Sequence, residues 1–116
     1  MRSSGAGKNA SMETAAKLIA AGVPVAMGSG YESYVPKTRV VLWEAAIACA
    51  YGCEFRDALG LITHSAAALL GIGDRVGSLE VGKDGDVALF DGDPFEYTSH
   101  CLGTVIEGEV VSDIAR

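Results

Sequence analysis

Histidine is scarce in this chain: His64 and His100 are the only two among 116 residues. With so few imidazoles, and those far apart in sequence, a multi-histidine metal cage cannot be built from these residues alone. Cysteine is scarce as well. Cys49, Cys53 and Cys101 cannot all pair within one chain, which excludes the disulfide framework of a small secreted domain. No signal-peptide apolar core precedes them, so reduced thiols in a soluble, cytoplasmic protein are expected. Basic residues are outnumbered, 9 Lys plus Arg against 15 Asp plus Glu, for a net charge of −6. Without a basic cluster such a chain repels a phosphate backbone, so nucleic acid is not an expected partner. A long apolar run is missing too. The longest, Val40 to Tyr51, contains Glu44 and falls short of the roughly 20 residues a membrane-spanning helix needs, so no membrane association is expected.

What is present is apolar residues and glycine. Hydrophobic residues make up 49% of the chain, so a core can form, and the 15 glycines follow no period and read as tight turns. The length supports one domain at most. Residues 1–10 are small and polar and are expected to be disordered. Ser11 can cap a helix in which Ala15, Leu18 and Ile19 form an apolar stripe ending at a C′ glycine, Gly22. Val23-Pro24-Val25-Ala26-Met27 then reads as a short buried strand with its proline at the start. A polar loop follows, and Pro36 suits the first turn of a helix running through Arg39 to Tyr51 and stopped by Gly52. That helix is apolar nearly all round, which implies burial against more than one neighbour. Two short helices should follow, Glu54 to Leu61 and His64 to Leu70, the second capped by Thr63 and closed by Gly71.

After Gly71 the period changes to two. Strands are expected near Ser78–Val81, Asp86–Phe90, Gly103–Glu107 and Glu109–Ser112, with Glu107-Gly108 as a hairpin turn. Asp91-Gly92-Asp93-Pro94 closes the second of these strands. Helices come first and strands last, so the chain reads as two pieces joined near Gly71 to Gly77.

The stretch Val76-Gly77-Ser78-Leu79-Glu80-Val81-Gly82-Lys83-Asp84-Gly85-Asp86-Val87-Ala88-Leu89-Phe90 resembles the closing segment of the metal-dependent amidohydrolase superfamily, in particular its imidazolonepropionase-like members. The resemblance extends over roughly Asn9 to Val111. Val23 to Gly30 looks like the family's last barrel strand, Ala58 to Ile72 like the helix leading out of the barrel, and Val105 to Val111 like the final hairpin. It implies an α/β fragment: the last strand and helices of a (β/α)8 barrel over residues 11–72, followed by a portion of a small antiparallel β-sandwich over residues 73–116. It further implies the reaction class of the family, hydrolysis of amide, cyclic amide or amidine C–N bonds of a small-molecule substrate. In the family one or two divalent metals such as zinc activate water, and an Asp at the end of the last strand deprotonates it.

This chain departs from that pattern at the chemistry. It has no His-x-His pair, and Gly30 occupies the place of the expected Asp, where it offers neither ligand nor base. Glu32, two residues on, is the candidate base that remains; the alternative is a solvated or helix-capping side chain. Tyr31, Lys37 and Arg39 are the candidate substrate-facing set, with a solvated helix N-terminus as the other reading; cations there oppose the helix dipole. No metal ligand is assigned, no cofactor is expected for this chain alone, and the expected partners are a missing N-terminal portion or further copies of the chain.

Other motifs dissolve on inspection. Gly5-Ala6-Gly7-Lys8 lacks the first glycine of a P-loop, with Arg2 in its place, and the hydroxyl residue that should follow the lysine, where Asn9 stands. Gly71 to Gly77 has dinucleotide-type glycines at the wrong spacing. Cys49, Cys53 and His64 lack the spacing and the fourth ligand of a structural zinc site. Cys101 beside His100 lacks a third, orienting group. The acidic residues Asp84, Asp86, Asp91 and Asp93 fit turn chemistry better than calcium binding.

Overall fold

A computed structural model of the chain describes residues 11–30 and 40–113. The expected disorder of residues 1–10 and the helix start at Pro36 lie outside the described residues.

Among the described residues four helices precede three strands: α1 Thr14–Ala20, α2 Val41–Ala50, α3 Phe55–Gly60, α4 His64–Leu69, β1 Val87–Phe90, β2 Cys101–Ile106 and β3 Glu109–Ser112. Ser11 works one turn before α1, where its Oγ accepts the Glu13 N–H at 3.2 Å. The glycines end three of the helices in one way. The Val23 N–H donates to Leu18 O (3.0 Å) and the Gly22 N–H to Ile19 O (2.9 Å). The pairs Cys53 to Ala48 with Gly52 to Cys49, and Ile72 to Ala67 with Gly71 to Ala68, repeat it after α2 and α4. This is the Schellman arrangement, which needs a left-handed residue at C′; Gly22, Gly52 and Gly71 supply φ of 71°, 105° and 71°. Thr63 departs from expectation. Its hydroxyl donates back to Leu59 O (2.8 Å) rather than capping α4, because α3 and α4 are joined by a tight turn that leaves that carbonyl within reach.

The sheet is an antiparallel meander in the order β1-β2-β3. Val87 faces Val105 and Leu89 faces Gly103 across the first pair; Ile106 faces Glu109 across the second, with a bulge in each ladder. The two-residue turn has positive φ at both positions, 52° at Glu107 and 81° at Gly108, the signature of a type I′ hairpin. Glutamate in that conformation is unusual, and it is held from outside the hairpin. Its N–H donates to Asp86 Oδ1 (2.9 Å), and the Gly108 N–H donates to Gly85 O (3.1 Å).

Two expected strands do not form. Ser78–Val81 is bound up in turns: Ser78 Oγ donates to Glu80 Oε1 (2.8 Å), the Lys83 N–H donates to Glu80 O (3.1 Å), and Val81 stands fully in solvent. The Ser78 hydroxyl, the Glu80 carboxylate and the Glu80 carbonyl are thus taken up by local bonds that fold the segment into a turn instead of an extended strand. Val23–Met27 is the other. Among the described residues it has no neighbouring strand, and its N–H bonds run to helix ends, Val23 to Leu18 O and Met27 to Leu61 O. The described residues therefore contain one three-stranded sheet with helices.

The core is small. Ala15, Ala48, Cys53, Ala58 and Leu61 are buried together, with Ala16, Ile19, Val25, Met27, Cys49 and Phe95 packed around them. Phe95 ties the strand half to the helices: its ring lies 5.1 Å from that of Phe55 at 55°. Helix α2 is not buried all round as its composition suggests. Ala45 and Ala48 face inward, while Trp43 is 60% exposed and Ile47 and Tyr51 are exposed on the other side. The radius of gyration is 15.4 Å, against about 13 Å for a compact domain of about 100 residues. The accessible surface is 8677 Å², against roughly 6,000 Å² for a compact monomer of this size.

Candidate functional site

The stretch Gly73 to Asp86 is a polar knot. Lys83 is its hub, with Nζ donating to Gly73 O and to Ser78 Oγ, both at 2.6 Å. Arg75 Nη2 pairs with Asp84 Oδ2 at 2.7 Å, and the Asp84 N–H returns to Arg75 O at 2.8 Å. Asp86 reaches across to the hairpin turn. Arg75, Glu80, Lys83, Asp84 and Asp86 are thus engaged in holding turns, and the segment couples the end of α4 to the sheet. Its role is architectural. Sequence reasoning had singled the stretch out without finding this network; the signal was the alternation of Arg75, Lys83, Asp84 and Asp86 with turn glycines.

The remaining acid–base groups are dispersed. His64 is exposed, its ring lying against the Gly60 Cα, where an added Cβ would come within 2.4 Å of the imidazole. His100 pairs with Asp91: Nδ1 lies 3.2 Å from Oδ2, and the His100 N–H donates to Oδ1 at 2.7 Å. These contacts hold the Asp91 carboxyl below its usual range, the His100 N–H contributing most, then burial acting the other way, then the imidazole. The Cys53 thiol is pushed up by burial, with Asp57 and Cys49 adding to it, so it is a core group rather than a nucleophile. The Cys101 S–H donates to Gly103 O at 3.4 Å.

Because the Asp91 carboxyl is more acidic folded than unfolded, its contribution is complete above the unfolded value and is lost as pH falls below it. Stability should therefore decline as pH drops below about 3.8, the ordinary aspartate value. In Asp91→Asn that part of the acid limb should be flatter, as read from urea midpoints between pH 5 and pH 2.5.

Of the sequence-derived site residues, Glu32, Tyr31, Lys37 and Arg39 lie outside the described residues. Gly30 is described: it has φ of 68°, with nothing within 4 Å of where a Cβ would stand. No three His, Cys, Asp or Glu side chains gather closely enough to hold a metal ion among the described residues. The described residues by themselves therefore offer no donor set for a divalent ion.

Two grooves flank the helices. One, of about 490 Å³, runs between Val23–Val25 and Leu61, His64 and Ala68, with Asp57 and Ser65 at its rim. The other, of about 720 Å³, lies between α3–α4 and β1, lined by Leu59, Ile62, Leu70, Leu79, Val87 and Phe90. Both are open and mainly apolar.

Comparison with known proteins places this architecture. The sequence profile of the Amidohydrolase family matches residues 3–112, and the chain belongs to that family. An amidohydrolase of Hapsidospora irregularis is 39% identical over 73 residues, 63% of this chain and 7% of that protein. The imidazolonepropionase of Symbiobacterium thermophilum is 32% identical over 104 residues, 89% of this chain and 24% of that protein. The crystal structure of an amidohydrolase from Thermotoga maritima MSB8 superposes with a TM-score of 0.81 at 36% identity, covering 91% of this chain and 27% of that one. The chain thus spans about a quarter of the length of these relatives, or less.

Proposed function

We propose that this chain is the C-terminal part of a metal-dependent amidohydrolase that hydrolyses non-peptide C–N bonds of the cyclic amide or amidine type, and that it is inactive by itself. One observation carries the reading: the family match runs over residues 3–112, yet the chain accounts for only 24% of a relative such as the S. thermophilum imidazolonepropionase. In this reading residues 11–72 are the closing part of a barrel and residues 73–116 a portion of a β-sandwich, in a cytoplasmic protein. The divalent ion, zinc or another, is held by residues that lie in the remaining three quarters of such an enzyme, and so is most of the substrate pocket. The test is metal analysis together with hydrolysis assays on a panel of cyclic amides and amidines. The purified chain should carry no stoichiometric zinc and turn over none of them; a stoichiometric ion or turnover above background would overturn the claim of inactivity.

A second reading is favoured by one feature. Trp43, Ile47 and Tyr51 form an exposed apolar stripe at helical spacing on α2, which suits a non-catalytic assembly module that forms homo-oligomers. The DNA upstream of Met1 discriminates the two. An open frame encoding a His-x-His pair favours the enzyme; a promoter and start site favour the module.

A further inference from the structure

We propose that Cys49 and Cys53 are a redox-responsive pair, which a peroxide closes into an intrachain disulfide across the end of α2 and a dithiol reductant reopens. The proposal concerns this chain's own side chains and does not depend on the functional reading above. Its starting point is the turn that ends α2. The Cys53 N–H donates to Ala48 O (3.0 Å) and the Gly52 N–H to Cys49 O (3.3 Å), with Gly52 at φ of 105°. These two bonds fold Cys49 to Cys53 back on themselves and leave the two α-carbons about one helical pitch apart, roughly 5–6 Å. A disulfide spans roughly 4.4–6.8 Å between α-carbons.

The side chains face the same way. Cys53 is buried in the core cluster and Cys49 packs against that cluster; both are free thiols. The Cys53 thiol is pushed up first by burial, then by Asp57 and by Cys49, so the two sulfurs lie in each other's field. The turn that carries them also seats α2 on α1, because the Gly52 Cβ position lies 3.6 Å from Ala16 Cβ. A bond between the sulfurs would lock that turn.

The two thiols divide the work. Cys49 is half-buried and Cys53 only 7% exposed, so hydrogen peroxide from solution meets Cys49 first. The Cys49 sulfur attacks one peroxide oxygen and the O–O bond breaks. The sulfur becomes a sulfenic acid, and the other oxygen leaves as hydroxide and is protonated to water. Cys53 then attacks the Cys49 sulfur: the S–S bond forms, the S–O bond breaks, and the sulfenic oxygen departs with the Cys53 proton as a second water. The two sulfurs together give up two electrons, which the peroxide takes. A buried, weakly acidic thiol is a poor nucleophile toward an external substrate. Toward a sulfur held beside it, proximity does what acidity does not.

The experiment treats the purified, reduced chain with hydrogen peroxide, blocks the remaining thiols with iodoacetamide and weighs the tryptic peptides. Cleavage after Arg39 and Arg56 releases residues 40–56 with both thiols, while Cys101 falls on residues 84–116. Residues 40–56 should emerge unlabelled and two hydrogens lighter, with Cys101 labelled, and dithiothreitol before blocking should restore label to all three cysteines. The Gly52 and Cys53 amides should exchange about tenfold more slowly in the oxidised chain. Cys53→Ala, which installs the residue most of its buried neighbours already are, should halt Cys49 at the sulfenic acid, trapped by dimedone. Cys49→Ala should leave Cys53 unoxidised at the same peroxide dose. Three labelled thiols after peroxide, a bridge from Cys101, a bridge between chains, or Cys49 carried to sulfinic acid while Cys53 takes the label would each overturn the pair. Closure with unchanged exchange at Gly52 and Cys53 would overturn the locking of the turn.

Discussion

Gly77→Ala should destabilise the chain by about 3 kcal/mol, combining left-handed strain with overpacking. Gly77 has φ of 95°, and a Cβ there would lie 2.7 Å from Ala67 Cβ, 3.0 Å from His64 Cα and 3.1 Å from Thr63 O. Two of those three atoms are backbone and the third is a β-carbon, so none can swing aside as a long side chain would. The substitution must push the loop carrying the Lys83 network away from α4, opening the groove between the helices and β1. Gly82 provides the control, since it has the same φ of 95° with nothing within 4 Å. Gly82→Ala should therefore show the backbone strain alone, about 1 kcal/mol. Urea midpoints of the two variants read the difference directly. Equal effects would mean that Gly77 is not in close contact with α4 in solution.

Leu61→Ala should cost about 3 kcal/mol. Leu61 is 1% exposed and is the one large side chain fully buried among the described residues; its buried neighbours Ala15, Ala48, Cys53 and Ala58 are all small. The fully buried neighbours cannot lean into the space left behind, so relaxation falls to the half-buried Val25 and Met27 at the edge of the cluster, and the residual cavity adds its cost to the lost transfer energy. Trp43→Ala, by contrast, removes a larger side chain that is already 60% exposed, and in the isolated chain its effect should stay within about 0.5 kcal/mol. The ratio of the two effects measures where this chain keeps its core. A loss at Trp43 comparable with that at Leu61 would show the α2 stripe to be covered in solution, as self-association would do.

These effects separate what can be read along the chain from what cannot. The helix stops at Gly22, Gly52 and Gly71, the hairpin at Glu107-Gly108 and the turn at Asp91–Pro94 follow from φ preferences and bonds spanning a few residues, and all appear where the sequence places them. The family is legible for the same reason: its closing segment is dense in turn residues with fixed spacing. Ser78–Val81 misleads because its alternation is strand-like while the Ser78 hydroxyl and the Glu80 carbonyl find partners within five residues.

The candidate site is much less legible. In the sequence Gly30 stands where the resemblance leads one to expect a carboxylate, and the substrate-facing candidates Tyr31, Lys37 and Arg39 lie outside the described residues. The helix endings, the hairpin and the family are written along the chain. Tertiary structure decided that Lys83 is a bracket, that α2 buries only its alanine face, and that Val23–Met27 has the composition of a strand without a ladder. The reason is physical: a helix satisfies its hydrogen bonds within itself, whereas a strand exists only when another strand lies beside it.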